Sequence, residues 1–365
     1  MVVECVGEAV RVEGRIVETK VISLDAESIE KAHVTEPAEL VRAGEVVGFP
    51  TETVYGLAAL ADDEAALARL RGLKGRAEEH PFTVHLADPA ALGKEAAQVS
   101  QVARRLIRRC WPGPLTLVLP SGDGAFVGYR VPSHGVARAF LRQVGVRVVG
   151  TSANPTGESP AVDAQRVLEY FDGRIPCLID SGPCQFAQAS TVVKVDGDRY
   201  EVLRPGALSE EKVLRAASLV ILLVCTGNSC RSPMATFILR QLIADRLDIP
   251  VDEVERAGYS IVSAGTLGGF AGATPEAIQV IREMGGDISG HLSTALEKGM
   301  VEHADRIVAM TEGHLKRVVD LVPEARQRTV VLDIADPIGG DVTVYRKCAN
   351  RIRSRLSLNL KALLE

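Results

Sequence analysis

Residues 224–233 read Val-Cys-Thr-Gly-Asn-Ser-Cys-Arg-Ser-Pro, which sets Cys225 at the end of an apolar run and Arg231 six positions later, where a helical pattern begins. The five residues between them, Thr226, Gly227, Asn228, Ser229 and Cys230, form a loop of the right length to wrap backbone N–H groups around a tetrahedral oxyanion, and the following helix dipole adds positive potential. The same field favours the thiolate of Cys225 and makes it a nucleophile near neutral pH. Arg231 supplies a planar, bidentate donor for two phosphate oxygens and for the charge of a transition state, and Ser232 offers a hydroxyl to the thiolate. Transfer of a phosphoryl group to sulfur also needs an acid for the leaving group. Asp336, in the loop sequence Asp-Ile-Ala-Asp-Pro-Ile-Gly-Gly at 333–340, is a carboxyl that can give that proton and later take one from water.

In the first half the chemistry-bearing residues are dispersed. They are Thr51 and Thr53 in F-P-T-E-T-V-Y-G-L, Lys74 and Arg76 in L-K-G-R, His85 in F-T-V-H-L, Arg130 in Y-R-V-P, Ser152 and Asn154 in T-S-A-N, Ser190 in S-T-V-V, and Arg204 in L-R-P-G. There is no Walker motif, no Gly-x-Gly-x-x-Gly after a strand and no metal-ligand cluster. Several cations on separate elements, if they converge, make a concave anion site suited to a triphosphate and a carboxylate.

The elements that must carry these residues follow from periodicity. At 365 residues the chain exceeds one usual core, so two domains are expected. Between 46 and 204, short β-rich runs at 46–49, 82–86, 115–119, 147–150 and 191–195 alternate with helical patterns, predicting a mixed α/β domain. A turn and a short helical connector occupy 204–218. Beyond it, strands at 219–224, 259–263, 306–309 and 330–332 alternate with helices from 234, 275 and 342, with a further helix between the last two strands. This predicts a doubly wound α/β domain with a four-stranded parallel sheet and its site at the carboxyl ends of the strands. The domain boundaries predicted are an extension at 1–25, a first domain at 26–208, a connector at 209–218 and a second domain at 219–365.

Bulk properties exclude several classes. Apolar residues make up 46% and charged residues 24%, an ordinary globular composition. No run is long enough to span a membrane, the N-terminus does not read as a signal peptide, and the seven scattered cysteines predict reduced thiols in a cytoplasmic protein. The net charge of −5 divides into about −4 for residues 1–215 and about −1 for the rest, so no strong direct nucleic-acid binding is expected.

The motifs C-T-G-N-S-C-R-S-P-M-A, S-A-G-T at 263–266 and the late D-P-I-G-G resemble low-molecular-weight protein tyrosine phosphatases and the related protein arginine phosphatases. That resemblance implies a phosphocysteine mechanism on a phosphoprotein, with Cys225, Arg231 and Asp336 catalytic and no cofactor. It also implies a Cys225–Cys230 pair able to form a reversible disulfide. Ile338 and Gly339 follow Pro337 where tyrosine-specific members carry aromatic residues, and Ser229 is a small hydroxyl residue where arginine phosphatases carry threonine. The first departure weakens the case for phosphotyrosine, and the second leans toward phosphoarginine. Arsenate reduction on this scaffold needs two further cysteines, and only Cys348 lies downstream.

The first-half motifs, with W-P-G-P-L-T at 111–116, resemble the YrdC-like threonylcarbamoyl-AMP synthases over about residues 26–208. The resemblance implies condensation of L-threonine, bicarbonate and ATP, with Mg2+ accompanying ATP and the product passing to a downstream tRNA threonylcarbamoyl transferase complex that modifies adenosine 37. It assigns Thr53, His85, Arg130 and Ser190 to threonine, and Lys74, Arg76, Ser152, Asn154 and Arg204 to ATP. His80 and Pro160 depart from the family pattern, and Ser159 stands ready to substitute for the serine that Pro160 replaces. Competing readings are a single active domain with a regulatory partner, a carbamoyl-transfer role and an RNA-binding module. The chain lacks the zinc-finger cysteine pairs of the second and the basic charge of the third.

Overall fold

A computed structural model describes residues 11–12, 15–16, 18–25, 31–75, 81–94, 96, 99–122, 124–267 and 272–364. The chain forms two compact units, Met1–Ala216 and Ala217–Glu365.

In the first unit a short hairpin, β1 (Arg11–Val12) and β2 (Arg15–Ile16), precedes β3 (Lys20–Ser23), α1 (Thr35–Arg42), β4 (Val47–Phe49), β5 (Gly56–Leu60), α2 (Glu64–Lys74) and β6 (Thr83–His85). There follow α3 (Gln101–Cys110), β7 (Leu115–Pro120), β8 (Phe126–Arg130), α4 (Gly135–Val144), β9 (Val148–Ser152), α5 (Ala164–Phe171), β10 (Cys177–Asp180), β11 (Thr191–Asp196), β12 (Arg199–Arg204) and α6 (Glu210–Ala217). Strands β3 to β12 build one ten-stranded sheet in the order β12-β11-β7-β8-β6-β9-β5-β4-β10-β3. It is mixed: β11 pairs parallel with β7 and β6 with β8, while β5 and β6 both pair antiparallel with β9. Ala38 and Val41 of α1 and Val136, Phe140 and Val144 of α4, spaced three or four apart, bury one helical face each against Val47, Phe49, Ala58 and Val148.

Residues 20–23, placed by sequence in an N-terminal extension, are the parallel edge strand of this sheet, beside β10. Four residues alternate too briefly to register as a strand by pattern alone. The strands β5, β8, β10 and β12 were likewise not expected. Gly-Leu-Ala-Ala-Leu in β5 holds good helix formers, and its conformation is dictated by antiparallel partners on both sides. The connector is helical, as α6.

The second unit comprises β13 (Leu219–Cys225), α7 (Arg231–Leu247), β14 (Tyr259–Gly265), α8 (Pro275–Glu283), α9 (Lys298–His303), β15 (Arg306–Ala309), α10 (Glu312–Leu321), β16 (Thr329–Val331) and α11 (Val342–Leu364). Its four strands are all parallel, in the order β14-β13-β15-β16. Strand β13 is apolar throughout because both its faces are covered. Leu219, Ile221, Leu223 and Cys225 join the core under α7, α8 and α11, and Leu222 and Val224 join the opposite core with residues of α9 and α10. The helix expected from 234 starts at Arg231, with Pro233 inside its first turn, where a missing N–H costs nothing.

Gly265, at the carboxyl end of β14, lies against the loop that follows β13. A methyl group there would stand 2.7 Å from the carbonyl oxygen of Thr226 and 2.9 Å from the amide nitrogen of Asn228. Gly265→Ala is therefore expected to destabilise the protein by about 1–3 kcal/mol through overpacking, measured by urea denaturation. A variant as stable as the parent would mean that the loop does not press on this strand.

Candidate functional sites

In the second unit the loop 226–230 closes on Cys225. Its Sγ accepts a hydrogen bond from the Asn228 amide at 3.2 Å and lies 2.9 Å from Ser232 Oγ. Asn228 fixes the loop. It is fully buried and holds a positive φ of 53°, a conformation that asparagine tolerates better than most residues. Its carbonyl accepts from Ser293 Oγ at 2.9 Å and meets His291 Nε2 at 2.7 Å, while its side-chain Oδ1 accepts from the Thr294 amide at 2.8 Å. That last bond settles the amide orientation, so Nδ2 donates to Ser263 Oγ at 2.9 Å and Ser232 Oγ at 2.8 Å. With its oxygen already accepting from Asn228, Ser232 has its own proton to give to the sulfur.

Arg231 is 3% exposed and donates to Thr226 Oγ1 at 2.9 Å, to the Ile334 carbonyl at 3.2 Å and to the carboxylate of Asp336. Of the three residues assigned catalytic roles from sequence, Arg231 and Asp336 are in direct contact, and Cys225 lies at the same helix N-terminus, against Ser232. Asp336 remains partly open to solvent, its side chain 37% exposed. Cys230 is buried and free, 3.3 Å from the Tyr345 hydroxyl, whose pKa burial and the neighbouring thiol push up to about 12. Exposed Leu267 and Ile338 flank the loop and the acid, Leu267 donating its amide to the Thr226 carbonyl at 2.9 Å.

In the first unit a cavity of about 550 Å³ opens over the sheet. Thr51, His85, Thr116, Arg130, Ser152, Ser190 and Arg204 are among its lining residues. Arg130 ends β8 and is 5% exposed; its Nη2 donates to Glu52 Oε1 and to Thr53 Oγ1, both at 2.7 Å. Its Nε has no partner among the described residues, a buried donor that calls for an acceptor. Thr53 lies behind the cavity wall, passing its proton to Thr51 Oγ1 at 2.9 Å, and Thr51 passes its own to the Val54 carbonyl at 2.6 Å. Ser190 Oγ lies 2.9 Å from Thr116 Oγ1, and Arg204 holds the Ser190 carbonyl at 2.8 Å.

Lys74 and Asn154 do not reach the cavity wall. Lys74, the last residue of α2 before the left-handed Gly75, is 4% exposed and donates to the carbonyls of Ser152, at 2.7 Å, and Asn154. It clamps the end of β9 that presents Ser152. Arg76 and His80 lie outside the described residues. Ser159 and Pro160 line a second, more open depression of about 670 Å³ that shares Val54 and Ala189 with the first.

Three residues of this unit carry weight that sequence reasoning missed. Glu52 is 2% exposed and accepts from both Arg130 and the Ser133 amide, at 3.1 Å. It stands between Thr51 and Thr53, but nothing local marks it as the partner of an arginine 78 positions away. Lys194 lies 4.0 Å above the ring of Phe126, and both line the cavity; alternation along β11 was the available signal for Lys194.

Residues 39–206 match the family model described as telomere recombination, covering Sua5, YciO and YrdC, and residues 220–365 match that of low molecular weight phosphotyrosine protein phosphatase. A threonylcarbamoyl-AMP synthase of Bacillus subtilis is 36% identical over 199 residues, 52% of this chain and 58% of that protein. A putative threonylcarbamoyl-AMP synthase of Mycobacterium tuberculosis is 37% identical over 182 residues, 47% of this chain and 83% of the relative. The crystal structure of Pyrococcus abyssi Sua5 complexed with L-threonine matches with a TM-score of 0.52 at 24% identity, over 92% of this chain and 98% of that one, a likeness of fold. The chain belongs to the Sua5, YciO and YrdC family, that of the threonylcarbamoyl-AMP synthases, and its C-terminal unit is a domain of the low-molecular-weight phosphatase family. It spans 58% of the length of the Bacillus subtilis and Pyrococcus abyssi synthases that it matches. Both family resemblances and both fold classes read from the motifs hold. Among the described residues no helix is long and apolar enough to cross a membrane.

His85 sets the pH response of the first site. Its Nδ1 lies 3.1 Å from the Thr83 carbonyl, which only accepts, so Nδ1 carries the proton and Nε2 is an acceptor on a ring that lines the cavity. Gly150 makes room for the ring, since a methyl group there would stand 2.7 Å from Nδ1. Part of the ring stays open to the cavity, yet burial of the rest and the charge of Arg130 push its pKa down to about 3. A folded pKa below the unfolded one gives stability that is fully present above about pH 6.5 and is lost as pH falls toward the folded value. His85→Gln is expected to flatten the loss of stability between about pH 6.5 and 4, followed by urea titrations at successive pH. An unchanged slope would show that this imidazole is not held neutral.

Proposed function

We propose that the N-terminal unit condenses L-threonine, bicarbonate and ATP into threonylcarbamoyl-AMP and pyrophosphate. The threonine amine adds to bicarbonate with loss of water, and the carbamate oxygen attacks the α-phosphorus as the bond to pyrophosphate breaks. Family membership supports the reaction, and the observation that carries the site is the buried, part-unpaired guanidinium of Arg130 in the cavity wall. Arg130 is read as the partner of the threonine carboxylate, with the Ser190 and Thr116 hydroxyls in the same cavity wall. Neutral His85 accepts a hydrogen bond from the bound amino acid. Ser152 and Arg204 face the nucleotide, Lys74 and the buried Asn154 hold that strand end in place, and Arg76 completes the reading for ATP. The unstable carbamate needs a dry, oriented site rather than a protein nucleophile. Mg2+, entering as part of the ATP substrate, would offset the charge developing on pyrophosphate. The product serves a tRNA threonylcarbamoyl transferase complex.

The C-terminal unit is read as a phosphoprotein phosphatase. Cys225 thiolate attacks phosphorus, the bond to the leaving oxygen or nitrogen breaks, and Asp336, which takes up a proton as it leaves Arg231, gives that atom its proton. Water then attacks the phosphocysteine, Asp336 takes its proton, and the S–P bond breaks to release phosphate. The incoming phosphate competes with Asp336 for the donors of Arg231, which frees the carboxyl for the leaving group. Ser229 and the aliphatic Ile338 favour phosphoarginine over phosphotyrosine.

Purified protein given threonine, bicarbonate, Mg2+ and ATP is expected to release pyrophosphate only when threonine is present, with threonylcarbamoyl-AMP detected by mass spectrometry. Threonine-independent release would sink the synthase reading. On phosphoarginine and phosphotyrosine peptides, Cys225→Ser should abolish phosphate release while the parent acts faster on phosphoarginine. Equal rates for parent and variant would exclude Cys225 as the nucleophile.

A further inference from the structure

We infer that His314 is a positioning residue of the phosphatase site, orienting the hydroxyl of Thr226 so that its lone pair is presented to Arg231. The inference rests on the phosphatase reading of the C-terminal unit. His314 comes from the first turn of α10, outside every motif that marks the site, and is 6% exposed. Its Nε2 lies 3.0 Å from Thr226 Oγ1, and its Nδ1 lies 2.9 Å from Thr311 Oγ1. Thr226 Oγ1 also accepts from Arg231 Nη2, at 2.9 Å.

The proton inventory of this chain is constrained. A guanidinium only donates, so the Arg231 contact occupies a lone pair of the Thr226 oxygen. The single hydroxyl proton of Thr226 must then go elsewhere, and the acceptor in reach is Nε2 of a neutral imidazole. Burial and the adjacent positive charge of Arg231 hold His314 down to about 4, against the weaker opposing pull of the Asp336 carboxylate. Nδ1–H in turn donates to Thr311, whose backbone opens the helix. The direction of donation therefore runs from Arg231 through Thr226 and His314 to Thr311.

Without His314, the Thr226 hydroxyl is free to rotate and to aim its proton toward the guanidinium. When phosphate displaces Asp336, the Thr226 oxygen and the Ile334 carbonyl are the contacts that hold the guanidinium plane in the loop. Losing an oriented hydrogen bond to a charged group blurs a geometry on which transition-state charge depends.

The test is a double-mutant cycle on the full chain, using His314→Phe, Thr226→Val and the two combined, with His314→Gln as the conservative variant. Turnover is read with p-nitrophenyl phosphate, and binding with inorganic phosphate by calorimetry. His314→Phe is expected to lower kcat and weaken phosphate binding about tenfold, from the loss of one charge-linked hydrogen bond. His314→Gln, whose side-chain oxygen can accept from Thr226, should recover most of both. Adding His314→Phe to Thr226→Val should cost little more. Multiplying losses, or a Gln variant as impaired as Phe at equal thermal stability, would overturn the inference. Absence of Cys225-dependent turnover in the parent would instead overturn the phosphatase reading, while the phosphate-binding cycle would still decide the part of His314.

Discussion

Each unit is organised by an arginine whose charge has been taken almost completely out of water. Burying an uncompensated guanidinium costs several kcal/mol, and removing one partner of a buried pair typically costs about 3–5 kcal/mol. Arg130 and Arg231 can therefore sit where they do only because a carboxylate meets each of them. The surrounding architecture follows from that need. Strand β8 must end where Glu52 can reach it from the loop between β4 and β5, and the loop after β16 must bring Asp336 back over the start of α7.

The two pairs differ in burial and in what else holds each carboxylate. Glu52 is as buried as its arginine, and its second oxygen is tied to the Ser133 amide, so it is a permanent counter-ion. Arg130 then has only its remaining donors for a ligand, which suits a small carboxylate held without reorganisation. Asp336 lies on a loop with more than a third of its side chain in solvent. A carboxylate so placed can give up the guanidinium when a phosphate arrives, and a proton-transfer group must be able to move in this sense. Depth of burial separates the fixed counter-ion from the carboxylate that is free to move.

The parts of this arrangement that sequence made legible are those in which one short segment contains its own reason. Strand β13, the loop 226–230 and the start of α7 form one continuous text, and apolar run, turn residues and Ser-Pro each point to the observed structure. The unread parts were pairings across distance. Glu52 and Arg130 are 78 residues apart, and Thr226 and His314 are 88 apart. Among elements, β5 was hidden by helix-favouring alanines and leucines, and β12 by its exposed position at the sheet edge, where polar residues are tolerated on the outer face. In both cases the deciding information belongs to the neighbouring strand, which single-segment periodicity does not contain.

Burial, with the charge of the same arginines adding to it, keeps a histidine beside each of them neutral. A positive charge close to an imidazole disfavours its protonation, and burial acts in the same direction; both effects bear on His85 beside Arg130 and on His314 beside Arg231. Neutrality then fixes what each ring can do. With Nδ1–H engaged by a backbone carbonyl or a threonine, Nε2 is left as an acceptor, and the ring adds no charge beside the arginine. Burial and one cation thus act together to leave each imidazole a neutral, oriented acceptor beside its arginine.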